Sequence, residues 1–443
     1  MTGVRGSGRR YRAPIVLPCD EAMTVLRDAV VDVDDDGRIA HVGPAATAPA
    51  TDAPTTRVDG LLMPGLVNTH AHTPLTVLRG MGGDLPLMRW LLEVVWPAEA
   101  KLDGADVRAG MLAGSAEMLR GGVTTSTEMY FQSEHVVEAV LEIGSRVVLT
   151  PGIITAPGME RLGTWQQMRD AITRWIDTDG LRFGPGERIE LGYGPHAAYT
   201  LPTEAITSTA ALAKERGALM HLHVAEAPGE DDAVRAEFGS VPAMLEATGS
   251  LGGRVLAAHA IQLSDDDIAI LARHDVAVAH CPGSNAKLAA GVARLTDLRA
   301  AGIRLGLGTD SPASNDDLDL WGEQRLASLF ARQRGADATA LTAEGALALA
   351  TREGARAVGR DDLGVLAPGA WADLVHVALD DAAFVDPDDD AQLVSNLVWA
   401  GGARGVRDVW VAGDQVLADG TTTRVDPGDV LAGARRVARK VKA

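Results

Sequence analysis

Cysteine is nearly absent. Only Cys19 and Cys281 occur in 443 residues, which excludes a disulfide framework and makes a reducing compartment the default expectation. Positive charge is also short. Lysine appears only at positions 101, 214, 287, 440 and 442, and the formal net charge is -19. A chain this acidic is not a general nucleic-acid binder, and an anionic membrane surface repels it. No apolar run reaches the ~18 residues needed to span a bilayer. The opening "MTGVRGSGRRYRAPIVLP" is basic but lacks the apolar centre of a signal peptide. The expected location is therefore cytoplasmic. Hydrophobic residues at 46% and charged residues at 23% are ordinary for a globular protein.

The two ends of the chain look alike. Thr24–Gly43, "TVLRDAVVDVDDDGRIAHVG", has two β-rich runs joined by a hairpin signal, Asp-Asp-Asp-Gly. The last eighty residues carry comparable short runs, "GVLAPGAWADLVHVAL" and "VRDVWVAGDQVLADGT". These patterns predict a small β-sandwich assembled from both termini, residues 1–64 and 362–443. Between them, residues 65–361 alternate apolar runs with helical patterns. Eight runs stand out: "GLVNTHAH", "GGVTTSTEM", "RVVLTPGI", "IELGYGPH", "ALMHLHVAE", "RVLAAHA", "VAVAHCP" and "IRLGLGTD". Ser264–His274, "SDDDIAILARH", opens with a serine and an acidic turn, as a capped helix does. Eight strand–helix units over about 300 residues predict an α/β fold, a (β/α)8 TIM barrel. A doubly wound open sheet is the alternative.

The positions of the histidines favour the barrel. His70 and His72 lie two apart, so on a strand both rings face one side. The other runs end at His196, at His221 and His223, at His259, at His280 and at Asp310, so seven of the 11 histidines sit at run ends. In this architecture the strand C-termini form the active site. A catalytic metal site needs three or four protein ligands and an open position. His70, His72, one histidine of the fifth run and Asp310 would supply them. His223 is nearer the strand end than His221, and Glu226 follows it at a spacing that reaches substrate but not the ion. His221 is then the buried residue one layer down. The fourth run has no lysine to bridge two ions, so one ion is expected. His280 is either a contact that orients Asp310 or substrate, or a structural residue of a tight turn. Trp90 and Trp96 fall in the loop that would cover the site, and Asp231 and Asp232 read as a solvated loop.

Taken together, "PGLVNTHAH", "HLHVAE", "HCPGSNAKLAAG" and "GLGTDSPASNDDLDLWGE" resemble the amidohydrolase superfamily, in its deaminase and chlorohydrolase branch. "RGMGGDLPLMRWLLEVVWPAEAKL" and "MLRGGVTTSTEMYF" are most similar to the S-adenosylhomocysteine/5'-methylthioadenosine deaminases. The resemblance implies that His70, His72, His223 and Asp310 are metal ligands. It further implies that Glu226 is a proton shuttle and that His259 stands beside the water. Glu99 would take ribose hydroxyls, and His196 would contact substrate. Two stretches depart from the pattern. The segment between the third and fourth runs does not resemble the nucleoside deaminases, and Arg161 within it has no assignable counterpart. Ser311 and Pro312 stand where smaller residues are usual.

The chemistry expected is hydrolytic deamination. A divalent ion, zinc before iron or manganese, lowers the pKa of its water from about 15.7 toward about 7. Asp310 takes a proton, His259 aims the water, and Glu226 protonates the ring and then the departing ammonia. The expected substrate is an adenine nucleoside of the adenosine, 5'-methylthioadenosine or S-adenosylhomocysteine type. Alternatives are 6-aminodeoxyfutalosine, another aminopurine or a pterin, or a triazine cleaved as by a chlorohydrolase. The only partner expected beyond this small molecule is another copy, since the resemblance implies a homodimer or tetramer.

Overall fold

A computed structural model describes residues 8–442; the first seven residues of the amino-terminal expectation lie outside the described residues. Eight parallel strands make up the (β/α)8 barrel that the alternating pattern predicts. They are β1 (Leu66–Ala71), β2 (Val123–Glu128), β3 (Arg146–Leu149), β4 (Ile189–Leu191), β5 (Leu219–Val224), β6 (Arg254–His259), β7 (Ala277–His280) and β8 (Leu305–Leu307). β1 to β4 pair in sequence, as do β5 to β8. The ladder is interrupted at two places, spanned by isolated parallel bridges: Tyr193 to Met220 and Ala197 to His223 at one, and Ala71 to Asp310 at the other. Two short pieces, Gly152–Ile153 and Gly194–Pro195, pair above β3 and β4 and carry the wall toward the mouth.

Several of the helices between the strands have first turns capped by the chain's own side chains. Asp103 and Asp106 form a capping box for Gly104–Arg120. Thr164 and Gln167 do so for Trp165–Asp179, and Ser264 and Asp267 for Asp265–Arg273. Each box satisfies amide groups that would otherwise lack partners.

The two ends of the chain meet in a single nine-stranded sheet. Leu61–Pro64 pairs antiparallel with Leu374–Val377, which joins the amino-terminal to the carboxy-terminal strands. The hairpin Leu26–Val33 with Ile39–Pro44 forms as the Asp-Asp-Asp-Gly signal predicts. A buried ion pair fixes this sheet to the barrel: Arg146 of β3 donates to both Asp373 oxygens at 3.0 Å. The last eighty residues differ from a purely β reading. Pro427–Lys442 is a helix. Its Ala434, Val437 and Val441 are buried, and Lys440 pairs with Asp103 at the cap of Gly104–Arg120.

Candidate metal centre and active site

The strand ends converge on one point. His70 Nε2 lies 3.3 Å and His72 Nε2 3.4 Å from Asp310 Oδ1. His72 Nε2 is 3.3 Å from His223 Nε2. His259 Nε2 enters from β6, 3.9 Å from Asp310 Oδ2 and 3.8 Å from Glu226 Oε1. His70, His223, His259 and Asp310 each offer a ligand atom, all within 4.8 Å of one another. The four are buried, and His72 is nearly so.

Hydrogen bonds determine the tautomers of His70, His72, His223 and His259. His72 Nδ1 donates to the Met129 carbonyl at 2.6 Å, and His223 Nδ1 to the His196 carbonyl at 2.8 Å. His259 Nδ1 donates to Asn285 Oδ1 at 2.8 Å. His70 is set by a longer chain. The Thr150 hydroxyl gives its proton to the Glu128 carbonyl at 2.9 Å, so its oxygen can only accept from His221 Nδ1, at 3.1 Å. His221 Nε2 therefore carries a lone pair, which accepts from His70 Nδ1 at 2.9 Å. Four Nε2 lone pairs thus face the centre, the arrangement that outer partners impose on metal-binding histidines.

Those lone pairs are aimed at a carboxylate with nothing to donate between them. His70 Nε2 and His259 Nε2 are buried and lack a hydrogen-bond partner. A cation at their meeting point resolves both the repulsion and the missing partners. The donor set, imidazole nitrogen with one carboxylate, suits a single divalent transition ion. Burial depresses the pKa of His70 to about 4 and of His196 to about 3, and holds His221 and His223 well below the usual imidazole range. All are neutral at pH 7, as ligation requires.

Asp310 is anchored from two sides. Its Oδ2 accepts from Ser284 at 2.6 Å and from Ser314 at 3.0 Å, which leaves Oδ1 toward His70 and His72. The backbone is strained at the same strand ends. Asp310 has φ +59° and His259 φ +70°, left-handed values that side chains avoid unless surrounding bonds hold them.

A cavity opens above this group, reached by His72, His196, His223, Glu226 and Asp310. Its far wall includes Leu87, Trp90, Trp96 and Glu99 from the segment after β1, with Tyr130 and Phe131 after β2. Trp90 and Trp96 therefore do line the site. Glu226 is buried, and burial together with the Asp310 charge raises its pKa well above the usual carboxyl range. Burial lifts Glu99 to about 7. Arg161, unplaced by resemblance, donates to the Glu99 and Leu102 carbonyls at 3.0 and 2.6 Å and so clamps the segment that carries Glu99.

The structure brings together all eight residues named in advance. It also shows partners that sequence reasoning passed over: Thr150, Ser284, Asn285 and Ser314. Three of these lie inside motifs quoted for the resemblance, and only their geometry shows what each touches. His280 is buried at the end of β7 with its Nδ1 unpartnered, and Asp310 is held by serines instead. Asp231 is not solvated as expected. It is 2% exposed and accepts from Arg235 at 2.6 Å, because the short helix Asp232–Phe238 folds that arginine over it.

A parallel barrel with a histidine–aspartate centre at the strand ends defines a class, the mononuclear metal-dependent barrel hydrolases. More narrowly, the chain belongs to the amidohydrolase family, whose model matches residues 61–416. It is 37% identical over 434 residues to the 5-methylthioadenosine/S-adenosylhomocysteine deaminase of Desulfitobacterium hafniense, covering 97% of this chain and 96% of that one. It is 42% identical over 345 residues to the 5'-deoxyadenosine deaminase of Methanothermobacter thermautotrophicus, covering 77% and 79%. Among solved structures, an adenosine deaminase from Xanthomonas campestris with bound zinc superposes at a TM-score of 0.91, with 34% identity over 98% of this chain and 99% of the other.

Proposed function

We propose that the protein is a metal-dependent aminohydrolase that removes the 6-amino group of an adenine nucleoside, releasing ammonia and the inosine analogue. The observation that carries the reading is the set of inward lone pairs around Asp310, with a buried carboxyl, Glu226, on the cavity wall beside them. His70, His72, His223 and Asp310 are assigned as ligands of one ion, zinc before iron or manganese. When bound, that ion supplies a water acidic enough to attack at neutral pH. His259, held by Asn285, orients the attacking group with its Nε2. Asp310 accepts a proton. Glu226, kept protonated by burial, delivers its proton to the ring nitrogen as negative charge builds there, takes up the proton of the added hydroxyl as that becomes the product carbonyl, and passes it to the leaving amine; the proton held by Asp310 then restores Glu226. Glu99 takes the ribose hydroxyls across the cavity, and His196 contacts the base. The named relatives act on nucleosides that differ at the 5' position, and this chain's preference among adenosine, 5'-deoxyadenosine, 5'-methylthioadenosine and S-adenosylhomocysteine is part of the proposal.

The test is ammonia release from the metal-loaded protein across those nucleosides, 6-aminodeoxyfutalosine, a pterin and a chlorotriazine. Release from the adenine nucleosides alone is expected. No release from any of them, with metal in place, defeats the reading.

We also propose the division into a barrel, residues 65–361, and a composite β domain, residues 1–64 and 362–443, whose sheet curls into a sandwich. Tyr11 and Trp410 support the curl. Their strands lie three apart in the sheet order, about 14 Å if flat, yet their rings are 5.0 Å apart. A homo-oligomer and a cytoplasmic setting complete the proposal, the latter resting on composition. Among the described residues no helix is long and apolar enough to cross a membrane.

A further inference from the structure

The loop after β5 reads EAPGE over residues 226–230, and its last residue folds back on its first. Glu230 Oε1 accepts the N–H of Glu226 at 2.7 Å, and Oε2 accepts the N–H of Ala227 at 2.7 Å. Gly229, at φ +81°, makes the turn that returns Glu230 to this point. The loop is pinned on its other side as well. Ala225 sits at φ +50°, and its carbonyl accepts from Ile261 N–H at 3.0 Å and Gln262 N–H at 2.9 Å. A non-glycine residue in that conformation persists only where neighbouring bonds hold it. The Glu226 carboxyl itself makes no hydrogen bond among the described residues, and His259 Nε2 stands 3.8 Å from it. Its direction is therefore set by its backbone, and that backbone is set by Glu230.

We propose that Glu230 is a positioning residue for the proton-transfer step, holding the Glu226 and Ala227 amides so that the Glu226 carboxyl points at the substrate. The proposal rests on the assignment of Glu226 as the proton donor. Glu230 does not line the cavity, so it acts only through Glu226. Displacing a reacting group by about 1 Å costs on the order of 10²-fold in rate, which sets the scale of the effect. Glu230→Gln puts an N–H donor against one of the two amides. Glu230→Asp keeps the carboxyl but shortens the arm.

The experiment is a double-mutant cycle on metal-loaded protein with adenosine and 5'-methylthioadenosine. E230Q and E230D are expected to lower kcat roughly 10- to 100-fold, with KM, metal content and melting temperature near wild type. In an E226Q background neither is expected to lower kcat further. Wild-type kcat in E230Q overturns the proposal, as does a full additional loss on top of E226Q. Loss of fold or metal in both variants also overturns it, since a positioning role leaves these intact. Normal turnover in E226Q alone defeats instead the assignment of Glu226 on which the proposal stands.

Discussion

His221 touches neither the cavity nor the proposed ion, yet the ligand His70 depends on it. Its Nε2 accepts the His70 Nδ1 proton at 2.9 Å, and its own proton goes to Thr150. Replacing it with leucine leaves the His70 Nδ1–H buried without an acceptor, a cost of about 1–3 kcal/mol. His70 can relieve that cost by moving its proton to Nε2, which points a donor at the cation. Removing outer partners of metal-binding histidines typically costs 10–100-fold in affinity, or about 1.4–2.7 kcal/mol. His221→Leu is therefore expected to give up metal to a competing chelator at a roughly 10–100-fold lower chelator concentration. His221→Gln keeps an acceptor in place of Nε2 and a donor toward Thr150, and should hold metal within a few fold of wild type. Metal content after equilibration with a chelator series, read alongside unfolding of the metal-free proteins, separates the two. If the leucine variant retains metal as tightly as wild type, the tautomer chain from Thr150 to His70 does not operate.

Glu226→Gln should bind metal normally and lose about 10²–10⁴-fold in kcat; steady-state rates with metal analysis decide it. Glu99 carries a stability penalty that depends on pH. Burial raises it from 4.5 to about 7, so between those values the folded chain keeps a proton that the unfolded chain has released. Stability falls as pH rises through this window and stays reduced above it, by at most about 3 kcal/mol. Glu99→Gln should thus melt higher than wild type at pH 8 and the same at pH 4, while its KM for nucleosides rises; equal melting at pH 8 would count against the buried carboxylate. Arg146→Met leaves Asp373 buried and uncompensated between barrel and terminal sheet, for about 3–5 kcal/mol of lost stability. Denaturant unfolding measures it, and a loss below about 1 kcal/mol would mean that the pair is dispensable.

Much of the barrel was legible because apolar runs and chemistry coincide in this chain. Each run that ends in a histidine or Asp310 becomes a strand or its immediate continuation, and Ser264 caps its helix as its acidic turn predicts. The carboxy-terminal helix was misread as β structure. Val430, Ala434, Val437 and Val441 are spaced for one helical face, but the short runs before them set the pattern for the whole stretch. Asp231 was misplaced because burial of a lone acidic residue depends on the arginine folded over it, and composition does not reveal that contact.

By itself, the order of residues determined the number of strands, the side on which His70 and His72 both lie, and the pool of donors for an ion. Those are local properties, set by the alternation of side chains along a strand and by where each run stops. Only the tertiary structure decided which nitrogen of each imidazole faces inward. It likewise decided that Ser284 and Ser314 hold Asp310, and that Glu230 closes on the Glu226 amide. These depend on distances between strands far apart in the chain, down to the single proton that Thr150 spends on Glu128. A hydrogen bond forms or fails within a few tenths of an ångström, and no spacing along the chain encodes that.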